Sequence, residues 1–351
     1  MRDLIERLYR EQTLPPDKLR TLLTRCDEEH LSIIRQKACK VSQTYFGNRV
    51  YIRGLIEIGN CCHNDCYYCG IRCSNRAIER YRLDKEEILA CCKEGYTLGF
   101  RTFVMQGGED SRSYDEQMID IITTIRKNYP DVAITLSLGE KDTATYQRFY
   151  EAGANRYLLR HETHNEQHYR MLHPEKMSLS NRLRGLNDLK RIGFQTGTGI
   201  MVGSPGQTID HLIEDILFIG RFRPQMIGIG PFLPHHDTPF ANHPAGNLKQ
   251  TLLLLAIFRL MHPQALIPST TALATLVPDG REQGILSGAN VVMPNLSPSQ
   301  QRHKYALYDN KASMGAEAAE GLKLLEARMK TIGYEIDKSR GDYPGNNLDS
   351  I

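Results

Sequence analysis

The chain has 351 residues, and 40% of them are hydrophobic, so it can form one large domain or two ordinary ones with a substantial core. Its 44 basic and 41 acidic residues leave a net charge of +3 without any basic block, so neither nucleic acid nor an anionic membrane is indicated as a partner. The N-terminal residues have no apolar signal core, and no later segment has about 20 unbroken apolar residues. We therefore expect a cytoplasmic protein whose cysteines are thiols and not disulfides.

The first 45 residues have the apolar spacing of amphipathic helices, interrupted at Pro15-Pro16, and predict an N-terminal helical cap over 1–45. From Tyr51 onward, short apolar or β-branched runs alternate with helical patterns. The predicted strands are 51–58, 102–105, 133–136, 156–159, 195–201, 226–229, 266–269 and 290–293. The predicted helices between them are 85–98, 115–128, 143–152, 179–192, 208–221 and 248–261.

Eight strands, most of them followed by a helix, predict an α/β fold of the (β/α)8 TIM-type barrel over 46–310. A partial barrel and a doubly wound sheet are the alternatives. Residues 311–351 are expected to pack on the barrel as a C-terminal helix, over 315–332, followed by a polar tail that we expect to be flexible from Asp337.

The loop after the first predicted strand contains Cys62, Cys66 and Cys69 in the spacing C-x3-C-x2-C. Three thiolates at this spacing can ligate three irons of a cubane [4Fe-4S] cluster and leave the fourth iron free to bind a small molecule. Cys61 precedes the motif, but only Cys62 gives the x3 spacing. A barrel places its chemistry at the carboxyl ends of its strands, where this loop begins.

Three other interpretations of these cysteines exist. They fall on one face of a helix and could be a buried stripe of small residues, although Asn64-Asp65 and Gly70 oppose a long helix. A structural zinc site needs a fourth ligand, and His63 is poorly placed to supply it. Disulfides are not expected in a reducing compartment.

Further candidate residues follow the later strands. Glu109 follows Gly107-Gly108 and could accept hydrogen bonds from an ammonium group, although such a segment is by itself an ordinary turn. A cation, an imidazole and a carboxylate follow the fourth predicted strand, at Arg160-His161-Glu162, where a barrel would place its site. The alternative interpretation is a surface salt-bridge cluster. The adjacent His235 and His236 could indicate a metal site, but the flanking prolines favour a rigid loop.

Three longer sequence segments are also distinctive: YLLRHET over 157–163, GIGPFLP over 228–234 and GANVVMPN over 288–295. Together they resemble the radical SAM (S-adenosylmethionine) superfamily and, within it, the HydE family of [FeFe]-hydrogenase maturases. The likeness covers about residues 45–310. Biotin synthase and the methylornithine synthase of pyrrolysine biosynthesis share the cysteine loop and the barrel, but they match these phrases less well.

The resemblance implies that Cys62, Cys66 and Cys69 ligate one [4Fe-4S] cluster. It also implies a set of SAM-binding residues, with the end of the fifth predicted strand flanking the adenosine: Tyr68, Glu109, Ser137, Glu162, Arg182 and Val202. The residues implied to face the substrate and take part in catalysis are Thr135, Arg160, Thr270, Thr271 and Tyr305.

Three departures from the family pattern stand out. Gly107 replaces a serine that the family often has, and His236 replaces a proline of the usual His-Pro-Asp-Thr-Pro. Some members carry C-terminal cysteines for an accessory cluster, whereas 308–314 contains none and all nine cysteines lie at or before Cys92. We therefore expect a single cluster.

The resemblance implies a radical SAM enzyme, working anaerobically, that reductively cleaves SAM to a 5'-deoxyadenosyl radical during assembly of the [FeFe]-hydrogenase active-site cluster. Its expected partners are a small iron- or sulfur-containing substrate, other hydrogenase maturases, and an electron donor such as a ferredoxin or flavodoxin. Two other functions stay open. One is a radical SAM enzyme acting on a small amino acid or sulfur compound, and the other is a non-catalytic iron-sulfur scaffold or electron carrier.

Overall fold

The computed structural model describes residues 1–313 and 315–345 of the chain. In chain order the helices are α1 (Arg2–Glu11), α2 (Pro16–Arg25), α3 (Glu28–Phe46), α4 (Lys85–Leu98), α5 (Arg112–Asn128), α6 (Thr143–Glu151), α7 (Glu166–Leu172), α8 (Leu179–Ile192), α9 (Ile209–Phe222), α10 (Leu248–Met261), α11 (Thr271–Leu276), α12 (Gly280–Ile285), α13 (Ser299–Arg302) and α14 (Leu322–Thr331). The strands are β1 (Arg49–Ile52), β2 (Gly54–Gly59), β3 (Thr102–Gly107), β4 (Ala133–Ser137), β5 (Arg156–Leu158), β6 (Gln195–Val202), β7 (Met226–Pro231), β8 (Val291–Val292) and β9 (Glu335–Asp337).

Six parallel strands form the central sheet in the order β2-β3-β4-β5-β6-β7. Each strand pairs with the next along the chain, and helices on the connections cover the sheet. Because all six strands run the same way, their carboxyl ends meet at one edge, and the loops that follow them converge there. The predicted α/β class with a parallel sheet is thus confirmed.

A second, three-stranded parallel sheet has the order β8-β1-β9. Isolated bridges such as Leu55 to Asn295, Met226 to Leu266 and Pro268 to Val291 link it and the central sheet. The strand predicted over 266–269 contributes only such bridges, so the described residues do not form one continuous closed ladder of eight strands.

Two other elements differ from the predictions. The first predicted strand is divided at Arg53, because β1 pairs with β8 and β9 whereas β2 pairs with β3. The C-terminal segment forms two short 3-10 turns before α14, and β9, which was not predicted, pairs with β1. The segment expected to be flexible begins inside β9, and its residues 340–342 contact the buried Arg156; residues 314 and 346–351 lie outside the described part of the chain.

The helices α1–α3 pack against the outer helices, with α3 and α1 on α10 and α2 on α9. α10 is therefore covered on both sides, and nearly all of its residues are buried, including Arg259. The Arg259 guanidinium is satisfied by Gly288 O at 2.7 Å and Asn290 Oδ1 at 3.0 Å. Within the described residues, no helix is both long and apolar enough to cross a bilayer.

Candidate functional site

A cavity of about 330 Å³ opens at the carboxyl edge of the central sheet. It is lined by residues from the cysteine loop and from the ends of most strands. The predicted site residues that line it are Cys62, Cys66, Tyr68, Cys69, Glu109, Ser137, Arg160, Glu162, Arg182, Thr270, Thr271 and Tyr305. Positions far apart in the sequence therefore share one cavity.

The cysteine loop follows β2 and is closed at its base by the buried Asn60. The Asn60 side-chain amide donates to Glu79 O at 2.9 Å and to Lys304 O at 2.8 Å, and its oxygen accepts from the Tyr81 N–H at 2.8 Å. Farther along, Gly70 N–H donates to Leu307 O at 2.9 Å. The loop is thus held by hydrogen bonds to its own end and to the segment after α13.

The three thiols line one cavity, and their surroundings suit an iron-sulfur cluster. Among the described residues, they do not form a group with all ligand atoms within 4.8 Å, as a single tetrahedral metal ion would require. Burial raises the pKa of each thiol, to about 12 for Cys69. Buried thiolates need a cationic partner, and an iron-sulfur cluster with several irons supplies one to well-separated sulfurs.

Backbone amides favour the charged form of these thiols. The amides of Asn64 and Glu109 lower the pKa of Cys62, and that of Ile71 lowers the pKa of Cys69, against the larger opposite effect of burial. Hydrogen bonds to a thiolate stabilise its charged form. The residues present therefore fit a [4Fe-4S] cluster held by three cysteines.

Gly108 brings the loop after β3 against the cysteine loop. A Cβ at Gly108 would overlap Cys61 O and approach Cys62 Cβ to 2.8 Å, whereas a Cβ at Gly107 would meet Ile58 only at 3.2 Å. Glycine is therefore required at 108, while a small side chain at 107 needs a shift of only a few tenths of an ångström. The Gly107 departure from the family pattern is thus compatible with the same loop path.

The Glu109 carboxylate lies at the edge of this contact. It accepts from the Glu140 N–H at 2.7 Å and pairs with His63 Nε2 at 3.2 Å. Burial raises its pKa, but these two hydrogen bonds and the charge of Arg182 outweigh burial, so the pKa of Glu109 is lowered. Glu109 is a negative group beside the thiols.

Arg160 and Glu162 follow β5 on the cavity wall. The Arg160 Nη2 donates to Glu162 Oε2 at 2.8 Å, while its Nε is buried without a hydrogen-bond partner among the described residues. Glu162 has a φ of 64°, which costs a non-glycine residue on the order of 1 kcal/mol. An unpartnered donor and a strained backbone in one cavity are typical of a ligand site.

Arg182 on α8 reaches the cavity from behind this pair. Its Nε donates to Glu140 Oε1 at 2.6 Å and its Nη1 to Arg160 O at 2.9 Å. Across the cavity, the Tyr68 hydroxyl lies 3.2 Å from His173 Nε2. Because His173 Nδ1 lies 2.9 Å from Tyr169 O and so donates, Nε2 accepts the Tyr68 hydrogen.

Three of the four hydroxyl residues predicted to face the substrate, Thr270, Thr271 and Tyr305, line the cavity. Thr135 does not line the cavity, but it lies below Ser137 on the same face of β4, and its buried Oγ1 has no partner within 1–313 and 315–345. The Thr270 Oγ1 is likewise buried and unpartnered there. The Tyr305 hydroxyl receives a hydrogen bond from Gln106 Nε2 at 3.3 Å.

Val202 does not line the cavity, and Met201 does. Alternate residues of β6 face opposite sides, and Thr198 on the Val202 side bonds with His161, which contacts Asp215 of α9 at 3.3 Å. The Val202 and His161 side chains therefore face the helices. Burial lowers the pKa of His161 to about 3, so it is a neutral core histidine.

Lys311 lines the cavity and was not found from the sequence. Its ammonium pairs with the fully buried Glu57 of β2 and donates to Tyr305 O at 3.0 Å. A lysine in a polar C-terminal segment carries no local signal of burial. A glutamate in the apolar strand LIEI was the available hint that a buried cation pairs with it.

His235, His236 and Asp309 place ligand atoms within 4.8 Å of one another. The His235 Nδ1 accepts the Asp237 N–H at 3.1 Å, so in the neutral ring its Nε2 carries the proton. The two imidazoles stack at 4.5 Å, and the Asp309 carboxylate accepts from the His236 N–H at 3.0 Å. The hydrogen bonds within this loop account for the cluster, as the rigid-loop interpretation expects.

A parallel α/β fold with three separated thiols at the carboxyl edge of its sheet is the arrangement of radical SAM enzymes. Residues 56–219 match the Radical SAM superfamily. Members of this superfamily use a [4Fe-4S] cluster and SAM.

Two curated proteins extend the comparison over nearly the whole chain. The [FeFe] hydrogenase maturase subunit HydE of Thermotoga maritima is 43% identical over 310 residues, 88% of this chain and 88% of that protein. The 3-methylornithine synthase of Methanosarcina acetivorans is 30% identical over 336 residues, 94% of this chain and 92% of that protein. The chain therefore belongs to the radical SAM superfamily and, within it, to the HydE family.

Solved structures agree with this fold. Methylornithine synthase (PylB) superposes with a TM-score of 0.84 at 29% identity, covering 95% of this chain and 97% of that one. The FeFe-hydrogenase maturase HydG from Carboxydothermus hydrogenoformans has a TM-score of 0.79 at 20% identity, covering 95% of this chain and 78% of that one. At that identity HydG supports the fold alone.

Proposed function

We propose that this radical SAM enzyme acts in the assembly of the [FeFe]-hydrogenase active-site cluster. The observation that carries the proposal is 43% identity to the HydE maturase over 88% of both chains. The unpartnered polar groups in the cavity support it, because they are available to a polar substrate. We also infer that residues 46–310 form one TIM-type barrel domain, that residues 1–45 form a cap on it, and that the described residues after 310 pack against it.

We assign Cys62, Cys66 and Cys69 as the ligands of the cluster, which leaves one iron for SAM. When both are bound, the reduced cluster supplies the electron that cleaves SAM to methionine and a 5'-deoxyadenosyl radical. The chain itself binds, orients and shields these groups. Its amides at 64, 71 and 109 would favour the thiolate form of Cys62 and Cys69.

The SAM residues follow from charge and position. Glu109, near Cys62, would accept from the SAM ammonium, and Arg182 would pair with its carboxylate. The Ser137 hydroxyl would donate a hydrogen bond to the nucleoside, and the Glu162 carboxylate would accept one from it. Tyr68 would lie beside the adenine. Met201 takes the flanking position first expected for Val202, because its side chain lines the cavity.

The substrate would lie farther inside, against Arg160, Thr270, Thr271, Tyr305 and, deeper, Thr135. The unpartnered Arg160 Nε and Thr270 Oγ1 would find their hydrogen-bond partners on it. The walls contributed by the strands exclude water, which protects a radical from quenching. The substrate would be a small iron- or sulfur-containing compound, and other hydrogenase maturases would be partners of this protein. A cytoplasmic ferredoxin or flavodoxin would be the electron donor.

An anaerobic maturation assay that adds or omits this protein tests the proposal. We expect hydrogenase activity only with the reconstituted protein, and no activity when Cys62, Cys66 and Cys69 are all replaced by alanine. The triple variant should also hold no cluster. Iron and sulfide that persist in the triple variant, or maturation that proceeds without this protein, would contradict the assignment.

A second candidate is a radical SAM enzyme acting on a small amino acid or sulfur compound. The 30% identity and TM-score of 0.84 to methylornithine synthases favour it. Such an enzyme would share the cluster and SAM residues and differ at the inner cavity. SAM cleavage that is stimulated by an amino acid, together with unchanged hydrogenase activity in the maturation assay, would select this candidate.

A further inference from the structure

Arg80 fills the interior of the cysteine loop. Its Nη1 donates to Asn60 O at 2.6 Å and to Ile71 O at 2.8 Å, while its Nη2 donates to Arg72 O at 2.6 Å and to Asn75 O at 3.0 Å. The four carbonyls lie on both sides of the cysteines along the chain. One guanidinium therefore joins the entry of the loop to its exit.

No carboxylate among the described residues pairs with Arg80. The neighbouring cations are neutralised by pairing: Arg72 with Asp65 at 2.5 Å, Arg82 with Asp110 at 2.5 Å and Lys304 with Glu79 at 2.5 Å. Within residues 1–313 and 315–345, Arg80 forms no ion pair, and its hydrogen bonds go to neutral carbonyls. A full positive charge is thus kept inside the loop.

Such a charge acts on a bound cluster in a definite direction. Three thiolates make the assembled cluster anionic, and reduction by one electron adds a further negative charge. A nearby cation in a partly buried loop stabilises the more negative state and raises the reduction potential. A carboxylate partner would cancel this effect, so carbonyl partners are the arrangement that preserves it.

We propose that Arg80 is a positioning residue that both closes the cysteine loop and raises the reduction potential of the cluster. The inference rests on the proposed cluster ligands Cys62, Cys66 and Cys69. It adds to them a residue that sets how readily the cluster accepts the electron. Arg80 touches neither SAM nor substrate in this role.

The test measures the cluster itself. Wild-type protein, Arg80→Gln, Arg80→Lys and Arg76→Gln are reconstituted with iron and sulfide, assayed for both elements, and titrated with dithionite while the reduced cluster is counted by electron paramagnetic resonance. Arg76→Gln is the matched control, because Arg76 lies on the same loop but is exposed to solvent. Exposed charges are screened by water and salt.

At the solution potential where half of the wild-type clusters are reduced, we expect the ratio of reduced to oxidised cluster to fall about tenfold in Arg80→Gln, equivalent to about 59 mV for one electron. Arg76→Gln should stay within about twofold of wild type. Arg80→Lys should keep the wild-type ratio, because it keeps the charge. It should lose iron to a chelator faster, because an ammonium group cannot bridge the same carbonyls as the two-armed guanidinium.

An unchanged ratio in a fully loaded Arg80→Gln would overturn the proposal. So would an equal shift in Arg76→Gln, or a shift in Arg80→Lys as large as in Arg80→Gln. If Arg80→Gln binds no cluster, Arg80→Lys decides, and absence of a cluster there as well would make Arg80 a folding residue only. A wild-type protein without a cluster, or a cluster that persists when Cys62, Cys66 and Cys69 are all replaced by alanine, would instead refute the proposed ligands. Those results are distinct from the results that refute the role of Arg80.

Discussion

Arg156 and Arg160 lie on the same inward face of the β5 path, with Leu158 between them, yet their contacts differ. Arg156, at the amino end, is fully buried and donates to Gln195 Oε1 at 3.1 Å, to Thr102 Oγ1 at 3.2 Å and to Asp342 Oδ1 at 2.7 Å. Carbonyls of the C-terminal segment at 340 and 341 accept further bonds at 3.1 Å. Each nitrogen of its guanidinium has a partner.

Arg160, at the carboxyl end, has Glu162 as a partner at 2.8 Å, and its buried Nε has none in the described part of the chain. It lines the cavity, next to a residue with strained backbone. The two ends of this strand therefore have different roles. The amino end is satisfied internally and stabilises the fold, while the carboxyl end keeps donors for a ligand at some cost in stability.

The largest expected effect is on stability at the amino end. Arg156→Met removes the donor to the carbonyl at 341, to the Thr102 hydroxyl oxygen and to the Asp342 carboxylate, and we expect a loss of about 3 kcal/mol in the free energy of unfolding. Relief of the repulsion between Arg156 and the buried Arg53 offsets part of this cost. Urea unfolding of cluster-free wild type and Arg156→Met measures this loss of unfolding free energy.

The control is Arg160→Met, which removes the unpartnered Nε and one donor to Glu162. Because Glu162 lines the cavity, we expect a loss in unfolding free energy of no more than about 1.5 kcal/mol, well below that of Arg156→Met. Equal losses in the two variants would show that the two ends of β5 do not differ in the way described.

The next effect is on activity at the carboxyl end. Arg160→Met should lower substrate turnover about 10- to 100-fold, because a charged hydrogen bond to the substrate contributes about 1.5–3 kcal/mol. Substrate-dependent SAM cleavage under reducing conditions measures this. Full activity with intact cluster content would remove Arg160 from the substrate site.

A smaller effect concerns the strain at Glu162. Both Glu162→Ala and Glu162→Gly remove the carboxylate, but only glycine adopts a φ of 64° without penalty. We expect the glycine variant to be more stable than the alanine variant by about 0.5–1 kcal/mol in urea unfolding. If alanine is the more stable of the two, the left-handed backbone at this position is not strained.

The smallest effect is a pH dependence at the amino end. Burial raises the pKa of Asp342, but the charge of Arg156 and its hydrogen bond lower it more, so the folded pKa lies below the ordinary value of 3.8. The stabilisation is therefore complete above that value and is lost as the pH falls below it.

Comparison of cluster-free wild type with Asp342→Asn at pH 7 and at pH 3 checks this sign. The difference in urea midpoint should shrink at the lower pH, and a difference that grows on acidification would contradict the assigned pair.

Local sequence was enough to predict the features that depend on neighbours along the chain. The helices predicted over 85–98, 179–192 and 248–261 have those bounds in the structure, because their caps and apolar spacing are local. The cysteine spacing indicated the chemistry for the same reason. Long phrases such as YLLRHET indicated the family.

Which side chains contact one another became clear from the folded structure. The division of the first strand at Arg53, the pairing of β9 with β1, and the Lys311–Glu57 pair join residues far apart in sequence. The choice of Met201 over Val202 depended on which face of β6 the helices cover. Such contacts are set by strand register and by the closing of loops, and local sequence does not encode either, because both depend on partners elsewhere in the chain.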